Sequence, residues 1–189
     1  MSVLTIVTID PDLLAFKHTV LKQRANEVPL QERECLKACY ELTVEMFEVM
    51  YSNYGAALSA PQVGMPLRLI VMDPARLNFG PHVLINPITI FEGDLEEAES
   101  ESCLSLPHYT GRVFRSTEVR VHAYDLNGKL QEYHAVGLLA RIFQHELDHL
   151  DGILFPDRLR RGDYLEKSDN KGARRRAIEA VNRLHMVLL

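Results

Sequence analysis

The sequence predicts helices and antiparallel strands folded together in one domain, and three observations predict it. From Gln31 to about Asn53 the apolar residues Leu36, Cys39, Tyr40, Leu42, Phe47, Val49 and Met50 recur at helical spacings, over enough of the circumference to predict a largely buried helix. From Glu118 to Tyr124 polar and apolar residues alternate, Asn127-Gly128 is a strong hairpin turn, and Lys129 to His134 supplies a return strand, so this part reads as antiparallel sheet. From Gly137 to Gly152 the chain reads as a second helix, and it carries the sequence His145-Glu146-Leu147-Asp148-His149. At 189 residues the chain is long enough to bury a core without disulfides, and with no repeat or linker to divide it, residues 1–189 are expected to form a single domain.

The remaining elements follow in order. Asp10-Pro11-Asp12-Leu13-Leu14 combines a capping residue, proline at the first helical position and an acid in the first turn, which predicts a short helix. The segment Gly55 to Gly64 is rich in small residues that let a ligand approach the backbone, and Gln62 supplies an uncharged amide there. A plain connecting loop would have the same composition. Leu67 to Met72 and Val83 to Phe91 read as strands, Pro87 implying an edge or a bulge in the second. Glu92 to Glu101 is an acidic stretch expected to be mostly solvated. Ile153 to Pro156 reads as a strand end, and a last helix is expected from near Asp169 to Leu188, with Ala177, Val181, Leu184 and Leu188 as its buried stripe.

Composition narrows the function classes. Hydrophobic content of 47%, charged content of 25% and a net charge of -5 are those of an ordinary globular protein, with no basic footprint for nucleic acid. The cluster Arg174-Arg175-Arg176 is read as a solvated helix face. No apolar run reaches the roughly 20 residues a membrane span requires. Three cysteines, Cys35, Cys39 and Cys103, form an odd set with no secretory or targeting leader ahead of them, which predicts free thiols and the cytoplasm. Cys35 and Cys39 lack a second ligand pair nearby and are expected to be buried as small hydrophobes.

The chemistry concentrates in the second helix. At 3.6 residues per turn His145 and His149 lie one turn apart on one face, where both imidazoles reach one cation, and Glu146 beside them is placed to take a proton from a water activated there. Leu138 and Ile142 share that face, so the histidines are expected on the buried side of the helix. Two histidines do not complete a metal site, and a surface helix can carry the same five residues. His18, His82, His108, His122, His134 and His185 have no ligand spacing and are expected to be solvated or satisfied at the surface.

Three segments together, Gly55 to Gly64, Glu101 to Pro107 and Gln144 to Gly152, resemble the motifs of the peptide deformylases, whose patterns are Gly-x-Gly-Leu-Ala-Ala-Pro-Gln, Glu-Gly-Cys-Leu-Ser and Gln-His-Glu-x-Asp-His-Leu. The similarity runs from the Pro11-Asp12 region to Phe155-Pro156-Asp157-Arg158-Leu159. It implies an α+β fold with mixed or antiparallel sheets around a central helix carrying the metal motif, and removal of the N-formyl group from formyl-methionine at the start of nascent polypeptides, near the ribosome. On this resemblance Cys103 joins His145 and His149 as third ligand, leaving the fourth position of a tetrahedral site open. Fe(II) is the implied metal, with zinc, nickel or cobalt able to replace it. Glu146 is implied as acid and base, with the Gln62 amide and the Leu104 N–H holding the oxyanion. The peptide is implied to lie as an added strand along Gly55, Ala56, Ala57 and Ser102, with methionine in an apolar pocket to which Leu104 and Ile142 contribute.

The chain departs from the patterns at Ala57, Ser59 and Ser102, each of which adds atoms near the cleft and bears on peptide fit. If position 57 takes a positive φ, alanine there is strained. Two other readings use the same residues. A metallopeptidase of the His-Glu-x-x-His type would take its third ligand downstream, from Asp151 or Asp157. A non-catalytic homologue would keep the metal for structure alone and would have no use for Gln62 or Glu146.

Overall fold

The computed structural model describes residues 4–9 and 19–167. The expected helix at Asp10-Pro11-Asp12 and the expected last helix from Asp169 to Leu188 lie outside the described residues. A five-stranded and a three-stranded sheet, all of whose strand pairs are antiparallel, enclose one helix, so the sheets are not mixed.

The first helix, α1 (Arg33–Ser52), buries Cys39, Thr43, Met46 and Met50 along one stripe while Tyr40, Val44 and Tyr51 are exposed. It is amphipathic, not largely buried, because it covers only one face of the large sheet. Cys39 is buried as expected, but Cys35 is half-buried, with its thiol against Glu32. Tyr54 stops the helix in a left-handed conformation (φ 57°), and Gly55 N–H donates to Met50 O at 2.9 Å. That turn delivers the chain into β1 (Ala57–Ser59), an edge strand, followed by a short 3-10 helix, Ala60–Val63.

β2 (Leu69–Met72) and β3 (His82–Glu92) continue the sheet, whose order is β1-β2-β3-β6-β7, with β6 (Glu118–Tyr124) and β7 (Leu130–Val136) joined by the Asn127-Gly128 turn. Pro87 marks a bulge in β3, where the pairing with β6 shifts between Ile85 and Ile88, and not an edge. β4 (Glu96–Cys103), β5 (Leu106–Ser116) and β8 (Leu165–Lys167) form the small sheet. The acidic stretch is thus largely a strand.

Helix α2 (Leu138–Leu150) starts at Gly137 (φ 57°, ψ -129°) and packs on β1, β6 and β7 on one side and on β5 on the other. Ala140, Phe143, Leu147 and Leu150 face the large sheet's core with Ile70, Leu84, Val119 and Val121. Each large side chain buried this way contributes about 1.5–3 kcal/mol. Arg141, Gln144 and Asp148 are buried on the other side, against the small sheet. Leu138, the first residue of the helix and expected on its buried face, is half exposed. Ile153 to Pro156 is not a strand end, since Phe155–Arg158 is a 3-10 helix. The surface histidines are satisfied as expected at His122, paired with Glu132 at 2.9 Å, and His134, paired with Glu118 at 2.8 Å; His82 is half-buried against Phe79 and Tyr133. His108 is exposed, and His18 and His185 lie outside the described residues. Among the described residues no helix is long and apolar enough to cross a membrane.

Candidate metal centre and active site

Cys103 is the last residue of β4 and faces α2. The pairing of β4 with β5 shifts its register between Ser102 and Cys103, the extra residues falling on β5, so β4 keeps its alternation and Cys103 stays on its buried face. There it meets His145 and His149, whose four-residue spacing puts them on one face of α2. The three ligand atoms lie within 4.8 Å of one another, with Cys103 Sγ 3.2 Å from His149 Nε2. A tetrahedral site with metal–ligand lengths of about 2.0–2.3 Å has donor–donor edges of roughly 3.4–3.6 Å, so this donor set fits one divalent transition-metal ion. Asp151 and Asp157 do not join it: Asp151 pairs with Arg68 at 2.7 Å, and Asp157 pairs with Lys22 and accepts Leu154 N–H.

Two residues before Cys103 on the same strand face is Glu101, buried while the other acids of the stretch are exposed as expected. Its Oε2 accepts from His145 Nδ1 at 2.9 Å and Arg115 Nη2 at 3.0 Å, and its Oε1 from Arg115 Nε at 2.9 Å and Arg141 Nη1 at 2.7 Å. Burial alone would raise its pKa, but hydrogen bonds from His145 and Arg115 overcome that and hold the carboxyl far below the usual carboxylate range. Arg115 reaches on to Asp148, which also accepts from Arg158. Gln144 ties the helix to β5 through Ser116, accepting its N–H at 3.0 Å and donating to its carbonyl at 2.8 Å.

Burial opposes an ionised Cys103, but His149 and hydrogen bonds from both imidazoles outweigh it and hold the thiol well below its ordinary value. Burial likewise opposes charge on His145, and its bonds to Cys103 and Glu101 raise its pKa well above normal. Both directions favour a thiolate facing the imidazoles, the form in which cysteine binds a cation.

Glu146 is buried beside these ligands, and burial raises its pKa against the partial offset of His145 and His149. Its Oε2 has no hydrogen-bond partner among the described residues. Gln62, in the 3-10 helix after β1, is buried and holds Nε2 3.4 Å from Cys103 Sγ and 3.4 Å from Ser105 Oγ. Its Oε1 accepts Ser59 N–H at 2.9 Å and Ser59 Oγ–H at 3.0 Å. Ser59-Ala60-Pro61-Gln62 has the spacing of a capping box, so the side chain that caps the turn is also turned toward the metal ligands. Among the described residues no backbone carbonyl takes the Leu104 N–H.

On the peptide side, Asp73 N–H donates to Ala56 O at 2.9 Å. Because an antiparallel ladder alternates, Ala57 then turns its own N–H and C=O away from β2, toward the open edge. A side chain at Gly55 would come within 3.1 Å of Met50 and 3.2 Å of Leu104, so the chain stays narrow there. Ala57 is in extended strand with no positive φ, and its methyl is buried in the core with Ile70 and Phe143; the expected strain and the expected intrusion into the cleft are both absent. Ser102 is exposed. Leu104 and Ile142 are partly buried in different apolar clusters, Leu104 with Met46 and Met50 and Ile142 with Phe143.

Sequence reasoning left Ser105 without a role, gave Glu101 none beyond its place in a motif and in a mostly solvated acidic stretch, and treated Ser59 only as extra atoms near the cleft. A signal existed for Glu101: strand alternation places it on the face of Cys103. Arg115 and Arg141 gave none, since their burial depends on a carboxylate from another strand.

The family model for polypeptide deformylase matches residues 11–164. The chain is 44% identical over 151 residues to the peptide deformylase of Thermodesulfovibrio yellowstonii, covering 78% of this chain and 88% of that one. It is similar to the crystal structure of a peptide deformylase from Synechococcus elongatus in complex with actinonin (TM-score 0.71, 34% identity, 94% of this chain and 85% of that one). A Met-Ala-Ser-bound peptide deformylase from Acinetobacter baumannii is similar to the same degree (TM-score 0.72, 31% identity, 84% of this chain and 99% of that one). With a family model spanning most of its length and a 44%-identical relative of which it covers 88%, the chain belongs to the polypeptide deformylase family.

Proposed function

We propose that the chain, acting as one catalytic domain in the cytoplasm, removes the formyl group from the formyl-methionine of nascent polypeptides near the ribosome, releasing formate. The observation that carries this reading is the convergence of three metal donors, Cys103, His145 and His149, with the unpartnered carboxylate oxygen of Glu146. Those three residues hold the metal, for which Fe(II) is the proposed ion and zinc, nickel or cobalt the substitutes; thiolate and imidazole suit all of them. When bound, the ion supplies Lewis acidity that activates water and polarises the formyl carbonyl.

The protein's own groups do the rest. Glu146 takes a proton from the attacking water as its oxygen bonds to the formyl carbon, then gives that proton to the methionine nitrogen as the C–N bond breaks. Burial raises its pKa above the ordinary carboxylate value, which helps it return the proton. Gln62 Nε2 and the Leu104 N–H donate to the oxyanion, and one such donor is worth about 3–4 kcal/mol. The outward N–H and C=O of Ala57 bind the peptide as an added strand, main-chain bonds that give tolerance of sequence after methionine; Gly55, Ala56 and Ser102 flank it, and Leu104 and Ile142 line the methionine pocket. The test is formate release from a short formyl-methionyl peptide by anaerobically purified protein. No formate above a metal-stripped control would refute the reading.

A further inference from the structure

Ser59 stands where the family's first motif carries alanine, and it is fully buried. It makes two bonds to one atom: its N–H and its hydroxyl both donate to Gln62 Oε1, at 2.9 and 3.0 Å. A carbonyl oxygen has two lone pairs, and residue 59 fills both. Because a backbone N–H can only donate, the atom it meets is the amide oxygen, and Nε2 is forced to the opposite side. There the contacts are long, 3.4 Å to Cys103 Sγ and 3.4 Å to Ser105 Oγ. Gln62 is gripped at its oxygen and left loose at its nitrogen, the end that must be free for a substrate oxygen.

We propose that Ser59 is a positioning residue for the reaction: its hydroxyl locks the Gln62 amide and polarises it, so that Nε2 becomes a stronger donor to the oxyanion. This rests on the reading of Gln62 as an oxyanion donor. The backbone N–H alone sets which way the amide points; the hydroxyl adds stiffness and draws charge toward Oε1, and chained hydrogen bonds strengthen one another in this way. The benefit grows with charge on the substrate oxygen, which is greatest in the transition state, so it acts on kcat and spares KM.

The hydroxyl has one proton, and the Glu146 carboxylate is a competing acceptor for it. A double-mutant cycle separates the two targets. Ser59→Ala, which removes one oxygen from a buried site, should lower kcat roughly three- to tenfold, the scale of one neutral hydrogen bond, with KM unchanged within about twofold. Gln62→Ala should lose roughly 10²–10³ in kcat, and adding Ser59→Ala to it should cost nothing more. In the zinc-loaded protein the Gln62 side-chain amide protons should move upfield in Ser59→Ala, a readout independent of turnover. An undiminished kcat in Ser59→Ala, or a loss that multiplies with that of Gln62→Ala, overturns the positioning role, the multiplied loss pointing to Glu146 instead. Near wild-type turnover of Gln62→Ala overturns the oxyanion reading beneath it.

Discussion

Glu101 Oε2 accepts a hydrogen bond from His145 Nδ1 at 2.9 Å, and this one contact fixes which ring nitrogen His145 turns toward Cys103 and His149. A carboxylate behind a ligating imidazole orients the ring and makes its other nitrogen a better donor. Glu101 is itself held by Arg115 and Arg141, so the three candidate metal donors sit on a buried ionic frame that joins β4, β5 and α2.

The first prediction is that Glu101→Gln strips the negative centre from that frame. Arg115 keeps Asp148, but Arg141 and His145 lose their buried counter-charge, which costs about 3–5 kcal/mol, and metal affinity should fall roughly 10- to 100-fold. The pH dependence has a definite sign. The folded-state pKa of Glu101 lies below its ordinary 4.5, so its stabilisation is complete above that pH and is lost as pH falls toward the folded value. Between about pH 5 and pH 2 the melting temperature of the wild type should drop more steeply than that of Glu101→Gln. Parallel curves would show that the frame carries no net electrostatic stability.

Glu146→Gln should keep the metal, because Cys103, His145 and His149 remain, and nearly abolish turnover, because the amide cannot take a proton. The measurements are metal content per chain and kcat on a formyl-methionyl peptide. Full metal content with near wild-type kcat would remove Glu146 from the mechanism.

Much of this site was legible because its signals are local. Four-residue spacing in a helix put His145 and His149 on one face, and alternation plus an Asn-Gly turn placed β6 and β7 to within two residues. What depended on distant partners was not. Glu101 lies in a run of acids that are mostly exposed, and only the arrival of Arg115 and Arg141 from β5 and α2 makes its burial tolerable. Ala57 was misjudged for a related reason: its backbone faces the open edge while its methyl faces the core, and which side of a three-residue strand is buried is decided by the sheet it joins.

Gly152 should be intolerant of a side chain. It follows α2 at φ 72°, and a Cβ there would lie 2.8 Å from Lys22 C and 2.9 Å from Gln23 N, backbone atoms that cannot swing aside. Gly152→Ala should therefore cost more than the about 1–2 kcal/mol of left-handed strain alone. Gly80→Ala is the control, at φ 77° with nothing within 4 Å, and should cost only that strain. Equal losses of stability in denaturant melts would mean that the Lys22–Gln23 segment yields freely.

The departures at Ala57 and Ser102 should separate into stability and substrate fit. Ala57 is 9% exposed with its methyl among core side chains, so Ala57→Gly removes a buried methyl and frees a strand residue in the unfolded chain. Those effects together cost roughly 1–2 kcal/mol of stability, with KM for formyl-Met peptides unchanged. Ser102 is exposed on β4, an outer strand of its sheet, beside Cys103, where its side chain meets solvent or peptide and no core. Ser102→Gly should therefore leave the melting point nearly unchanged and shift KM, or the preference for the residue after methionine, across a panel of formyl-Met peptides. A rise in kcat with KM and preference both constant in Ser102→Gly would place its effect on the chemical step, and a KM change in Ala57→Gly without loss of stability would mean that the β1 backbone, not its methyl, responds to the substitution.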